Sequence, residues 1–89
     1  LGPFPGLREA ALPRCNLGSL QFLAHSPLLE RLNARYNGLE TLPEFLANCT
    51  SLRSLELSHN PFRKIELDLE RLQALEELEI HIQNRSFGL

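Results

Sequence analysis

Four times along the chain, a leucine is followed by apolar residues three and five positions later and by a small polar residue at the ninth place. The first series is Leu7, Ala10, Leu12 and Cys15, and the second is Leu29, Leu32, Ala34 and Asn37. Leu52, Leu55, Leu57 and Asn60 form the third, and Leu75, Leu78, Ile80 and Gln83 the fourth. Successive starts lie 22, 23 and 23 residues apart, and the register runs on through Leu17, Leu39 and Phe62 at the eleventh place. A unit this short cannot bury a core alone, so it is stable only when stacked on its neighbours, and about three units are the minimum.

Within each unit the apolar-x-apolar triplet has the two-residue period of a strand, with its apolar members inward and the residues between them outward. Successive strands are expected to pair in parallel. The ninth-place Asn is expected to end the strand and to satisfy turn groups with its amide, so that Asn37 and Asn60 form a ladder. Cys15 fits the same column as a small residue with a weak donor. A helical rod is the rival fold, because the segment from Ile65 to Ile80 spaces Leu69, Leu72, Leu75 and Leu78 by three. Asn37-Gly38, Leu42-Pro43 and Asn60-Pro61 interrupt any such helix elsewhere, and the repeat register accounts for all four segments.

The pattern resembles the leucine-rich repeat family, LxxLxLxxN/CxLxxLPxxLxxL, over residues 7–83. The unit lengths and Leu42-Pro43 resemble its typical class. Ala10 and Ala34 stand where the family has leucine, Ile65 is not followed by proline, and the register is lost after Ile82. The resemblance implies an α/β fold: a short solenoid of about four repeats with parallel strands on its concave face. Residues 1–6 are then an N-terminal flank or irregular cap. The repeats occupy 7–28, 29–51, 52–74 and a partial 75–83, and residues 84–89 form a C-terminal flank.

At 89 residues the chain is one domain at most, too small for a large pocket-bearing enzyme. A net charge of -2, with acidic and basic residues interspersed, gives no footprint for nucleic acid. No apolar run is long enough to insert in a membrane. Residue 1 is leucine, which leaves open a processed product or a piece of a longer chain. Neither cysteine lies in a CxxC cluster, and Cys15 and Cys49 fall in different columns, so reduced thiols are expected, with Cys49 in the core. Asn48-Cys49-Thr50 and Asn84-Arg85-Ser86 are glycosylation sequons that matter only in a secreted chain. No hydrolase, zinc-protease, phosphate-loop or calcium-loop motif occurs, so no catalytic residue and no cofactor are expected. His59 and His81, with Glu56 and Glu79 near them in register, could approach a metal, but solvated surface histidines are the commoner state and no metal site is assigned.

Outward positions at places three, five, seven and eight read Glu9, Ala11, Pro13, Arg14; Arg31, Asn33, Arg35, Tyr36; Ser54, Glu56, Ser58, His59; and Glu77, Glu79, His81, Ile82. Charge is thus sorted, with a basic second unit around an aromatic and acidic third and fourth units. Arg and Tyr are favoured at protein interfaces. The expected binding residues are Arg31, Asn33, Arg35, Tyr36, Glu56, His59, Glu77, Glu79 and His81. They would take a protein or peptide ligand, with other domains of a longer chain as further candidates. Two other readings stay open, a regulatory or substrate-recognition segment of a larger signalling enzyme or ubiquitin-ligase adaptor, and an extracellular receptor fragment. A cytoplasmic setting is expected, without excluding a secreted one.

Overall fold

Each apolar-x-apolar triplet begins in a strand, and the strands join one sheet in chain order. The computed structural model describes residues 4–63, 68–82 and 85–88. Strands β1 (Glu9–Ala11), β2 (Arg31–Asn33), β3 (Ser54–Phe62) and β4 (Glu77–Ile82) are parallel, and β5 (Arg85–Gly88) runs antiparallel to β4. Ala10, Leu32, Leu55 and Leu78 sit side by side across four strands. All four are buried, while Glu9, Arg31 and Glu77 beside them are exposed. The two-residue alternation of each unit therefore fixes one core face and one outward face.

The parallel pairing extends past the formal strands. Leu12 N–H donates to the Asn33 carbonyl at 2.8 Å and Ala34 N–H to that of Glu56 at 2.9 Å. Arg14 N–H donates to the Arg35 carbonyl at 2.9 Å and Tyr36 N–H to that of Ser58 at 3.3 Å. Return segments are short 3-10 turns at Gln21–Leu23, Glu44–Asn48 and Leu69–Arg71. Pro43 immediately precedes the second of these, where its fixed φ suits a turn start and its missing donor costs nothing. The helical component of the expected α/β class is thus reduced to single turns among the described residues. The segment from Leu69 to Ile80 holds a 3-10 turn and most of β4, so its leucine spacing does not make a rod.

The core is one cluster in which Leu20, Leu23, Leu29, Leu32, Leu39, Leu46, Leu52, Leu55, Leu57 and Phe62 are almost fully buried. Burying each leucine contributes about 1.5–3 kcal/mol, opposed by a chain-ordering cost of similar size. Cys49 and Leu72 are both buried, as their shared column requires. Both cysteines are free. Burial pushes the Cys49 thiol above its ordinary pKa. Phe4 lies beside β1 and, with Leu7, Ala10, Leu12, Leu17 and Phe22, borders an apolar concavity of about 390 Å³ at that end of the sheet.

The asparagine column works as a ladder. Asn37 N–H donates to Asn60 Oδ1 at 2.8 Å, and the Asn60 amide donates to the carbonyls of Ala34, Leu57 and Ser58. One unit earlier, Cys15 N–H donates to Asn37 Oδ1 at 2.8 Å, and the Asn37 amide donates to the carbonyls of Leu12 and Arg35. Cys15 itself is exposed, and its thiol donates to the Pro13 carbonyl at 3.4 Å, the same two-residue reach that its asparagine counterparts make.

Three expectations need correction. Asn60 does not end its strand: β3 continues through Pro61 to Phe62, which pairs with Ile82 after a register shift. The equivalent tenth-place residues Asn16 and Gly38 turn the chain with φ of 52° and 68°, a conformation that a proline ring forbids, so no such turn forms at Pro61. Residues 85–88, in the part read only as a flank, form a strand. Ser54 and Ser58, read as outward, are buried, and the Arg35 side chain reaches across to Ser58. Ile65, Gln83 and Asn84 lie outside the described residues.

Candidate partner-binding face

Strand pairing lays the outward side chains in fixed columns. Glu9, Arg31, Ser54 and Glu77 form one, and Ala11, Asn33, Glu56 and Glu79 the next. Neighbouring members are separated by the inter-strand spacing of about 4.8 Å. Arg31, Asn33 and Glu56 come together with Glu9 and Ala11 around a polar concavity of about 190 Å³. Arg35 and Tyr36 join Pro13, Arg14 and Asn33 around a second of about 270 Å³, so Asn33 lies on the boundary between the two. Glu77 and Glu79 are exposed on β4 but line neither hollow. His81 falls in β4, and its side chain is outside the described part of the molecule.

The eighth-place residues make a stack. The Tyr36 and His59 rings lie parallel within 3°, with centroids 4.2 Å apart, and the Arg14 guanidinium carbon sits 3.9 Å above the Tyr36 centroid. Arg14, Tyr36 and His59 have φ of 55°, 56° and 61°, in the left-handed region that non-glycine residues seldom adopt. Each such residue costs about 1–3 kcal/mol. Backbone hydrogen bonds from Arg14 and Tyr36 to the next unit, the ladder below, and ring stacking together hold the column in this conformation. Tyr36 remains 37% exposed and lines the second concavity.

Arg35 is anchored on three sides. Its Nε donates to Ser58 Oγ at 3.1 Å, its backbone N–H donates to Asn33 Oδ1 at 3.3 Å, and its guanidinium carbon lies 5.9 Å from the Tyr36 centroid. Ser58 is only 2% exposed because Arg35 covers it. The second-place column shows a different use of charge. There Arg8 pairs with Glu30 at 2.7 Å and Arg53 with Glu76 at 3.2 Å, along an alternating series Arg8, Glu30, Arg53, Glu76. Exposed pairs of this kind contribute little stability. They do neutralise that column, whereas Arg14, Arg31 and Arg35 have no carboxylate partner among the described residues.

Two features of the site were not assigned from sequence. Arg14 was counted on the outward face but not among the binding residues, although it stands 22 residues before Tyr36 in the same column. The left-handed backbone of that column has no clear residue signature, since His is enriched there but Arg and Tyr are not. Among the described residues, no group of three or more His, Cys, Asp or Glu is placed to hold a metal ion. No helix among them is long and apolar enough to cross a membrane.

A family model described as leucine-rich repeats, in two copies, matches residues 27–69. The matched span contains β2, β3 and both ladder asparagines. The matched residues are leucine-rich repeats. No curated protein and no solved structure is a significant match to it. Leucine-rich repeat domains generally mediate protein–protein interaction and are typically non-enzymatic recognition parts. Across the units, the residues that vary while the framework repeats are those of the outward columns.

Proposed function

We propose that the chain is a protein-recognition module, a short solenoid of about four repeats that docks a protein or peptide on its strand face, and that it is not an enzyme. The repeats run from residue 7 to 83 between two flanks, with the strands on the concave side. Binding residues are Arg31, Asn33, Arg35, Tyr36, Glu56, His59, Glu77, Glu79 and His81, to which Arg14 is added. The observation that carries this reading is the anchored pair Arg35 and Tyr36. Both side chains are held by neighbouring units before any partner arrives, so little ordering entropy is lost on docking. The free thiols Cys15 and Cys49 support a reducing, cytoplasmic setting.

The test is a footprint. A partner isolated on the immobilised chain and identified by mass spectrometry is added to the protein, and amide exchange is followed by residue. Slowed exchange across β2, β3 and β4, with 3-10 turns unchanged, is the expected result. Slowing confined to Gln21–Leu23 and Glu44–Asn48 would place the partner on the opposite side and overturn the proposal.

A further inference from the structure

We infer that the hollow between Arg14 and Arg35 is a carboxylate subsite, which receives an Asp or Glu side chain from within an extended segment of the partner. This rests on the strand face being the docking surface. The hollow is bounded by Pro13, Arg14, Asn33, Arg35 and Tyr36, and no carboxylate lines it. It is thus lined by two arginines, an asparagine and a tyrosine. Guanidinium donors match the two oxygens of a carboxylate, and such charge-assisted bonds are about twice as strong as neutral ones.

Both cations are already positioned. The Arg14 guanidinium carbon sits 3.9 Å from the Tyr36 centroid, and the His59 ring stacks on Tyr36 at 4.2 Å. Arg35 is tied at Nε to Ser58, which leaves its terminal nitrogens as the remaining donors. Elsewhere on this surface the fold pairs arginine with glutamate, at Arg8–Glu30 and Arg53–Glu76. Arg14 and Arg35 have no such partner among the described residues. A carboxylate arriving with the partner would complete at this hollow the pairing that the second-place column makes internally.

Two features select the source of the anion. The adjoining concavity is net acidic, with Glu9 and Glu56 against the one cation Arg31, and shares Asn33 with this one. A phosphoryl dianion would be repelled by those carboxylates about twice as strongly as a singly charged group, by charge alone. The same continuity provides a path for the chain beyond the subsite, so an internal side chain suits the groove better than a terminus. A basic residue further along that segment would meet Glu9 and Glu56.

The probe is a short polyglutamate peptide blocked at both ends, titrated into isotope-labelled protein while the Nε–Hε signals of Arg14, Arg35 and Arg63 are followed by NMR. Polyglutamine, inorganic phosphate and a diglycine peptide with a free C-terminus are the comparison ligands. Saturable shifts at Arg14 and Arg35 but not at the exposed Arg63 are expected with polyglutamate. The double variant Arg14→Gln, Arg35→Gln should weaken that binding about tenfold or more, with the Asn37 and Asn60 amide positions unmoved. Equal shifts with polyglutamine, linear shifts at all three arginines, or an unaffected double variant would overturn the subsite. Tighter binding of phosphate or of the free C-terminus would overturn the assigned source. If polyglutamate fails while an isolated partner still needs Tyr36, the recognition reading survives and this inference falls.

Discussion

The backbone N–H of Asn37 donates to Oδ1 of Asn60 at 2.8 Å across two units, and the same oxygen takes a second bond from Leu39 N–H at 3.1 Å. One buried side chain therefore satisfies two donors in the preceding turn, and its own amide reaches three carbonyls. Leaving a buried backbone group without a partner costs about 1–3 kcal/mol.

Asn60→Ala should accordingly lower unfolding free energy by at least about 1–3 kcal/mol. Asn37→Ala should cost less, because the groups it serves, at Cys15 and Leu17, are only partly buried. Denaturant midpoints measure both. Equal effects, or an unchanged midpoint for Asn60→Ala, would contradict the ladder.

Strand register is tested by a neighbouring pair. Leu55 is fully buried between Leu32 and Leu78, so Leu55→Ala should cost about 2–5 kcal/mol. Glu56, beside it, points outward, and Glu56→Ala should stay within about 0.5 kcal/mol. Similar losses at the two sites would mean that the inward and outward faces are misassigned.

Tyr36 is the single tyrosine in the chain, so its ring signals are unambiguous. Parallel stacking at 4.2 Å should shift its ring protons upfield through the His59 ring current, and His59→Ala should remove that shift. The variant should leave the Asn60 amide signals in place. Tyr36 resonances at random-coil positions in the unaltered protein would show that the stack does not persist in solution.

Much of this arrangement was legible from the sequence, because a constant register at 22 and 23 residues is enough to place Ala10, Leu32, Leu55 and Leu78 side by side. The ladder followed from the ninth-place asparagines. What escaped depends on contacts between units rather than on any one of them. Alternation of Arg8, Glu30, Arg53 and Glu76 emerges only when the units are laid next to each other. The burial of Ser58 requires knowing that Arg35, 23 residues earlier, folds across it. Strand β5 lies beyond the last recurring leucine and pairs antiparallel, so the repeat carries no information about it. Extension of β3 was within reach, since Pro61 occupies the place at which Asn16 and Gly38 turn with positive φ.

The two thiols should react at very different rates. Cys15 is exposed and Cys49 is buried with its pKa raised by desolvation, so alkylation should be fast at the first and gated by unfolding at the second. A thiol whose folded pKa lies above the unfolded value stays protonated in the fold while the unfolded chain ionises. Its contribution is therefore complete below the ordinary value of 9.0 and is lost as pH rises through the folded pKa. Mass spectrometry of labelled peptides reads the rates. Equal labelling in native buffer would place Cys49 outside the core.

Recognition by the strand face is tested most directly by comparing two pairs of charge and size changes for affinity toward the same isolated partner. Arg35→Glu with Tyr36→Ala alters the anchored pair, while Glu44→Lys with Arg71→Glu alters exposed residues of the 3-10 turns. The strand-face pair should weaken binding by one or more powers of ten, as a loss of about 2 kcal/mol or more at hot spots requires, and the turn pair should change it far less. Melting curves of both variants serve as the control for folding. Binding that survives the strand-face changes and is abolished by the turn changes would contradict the account.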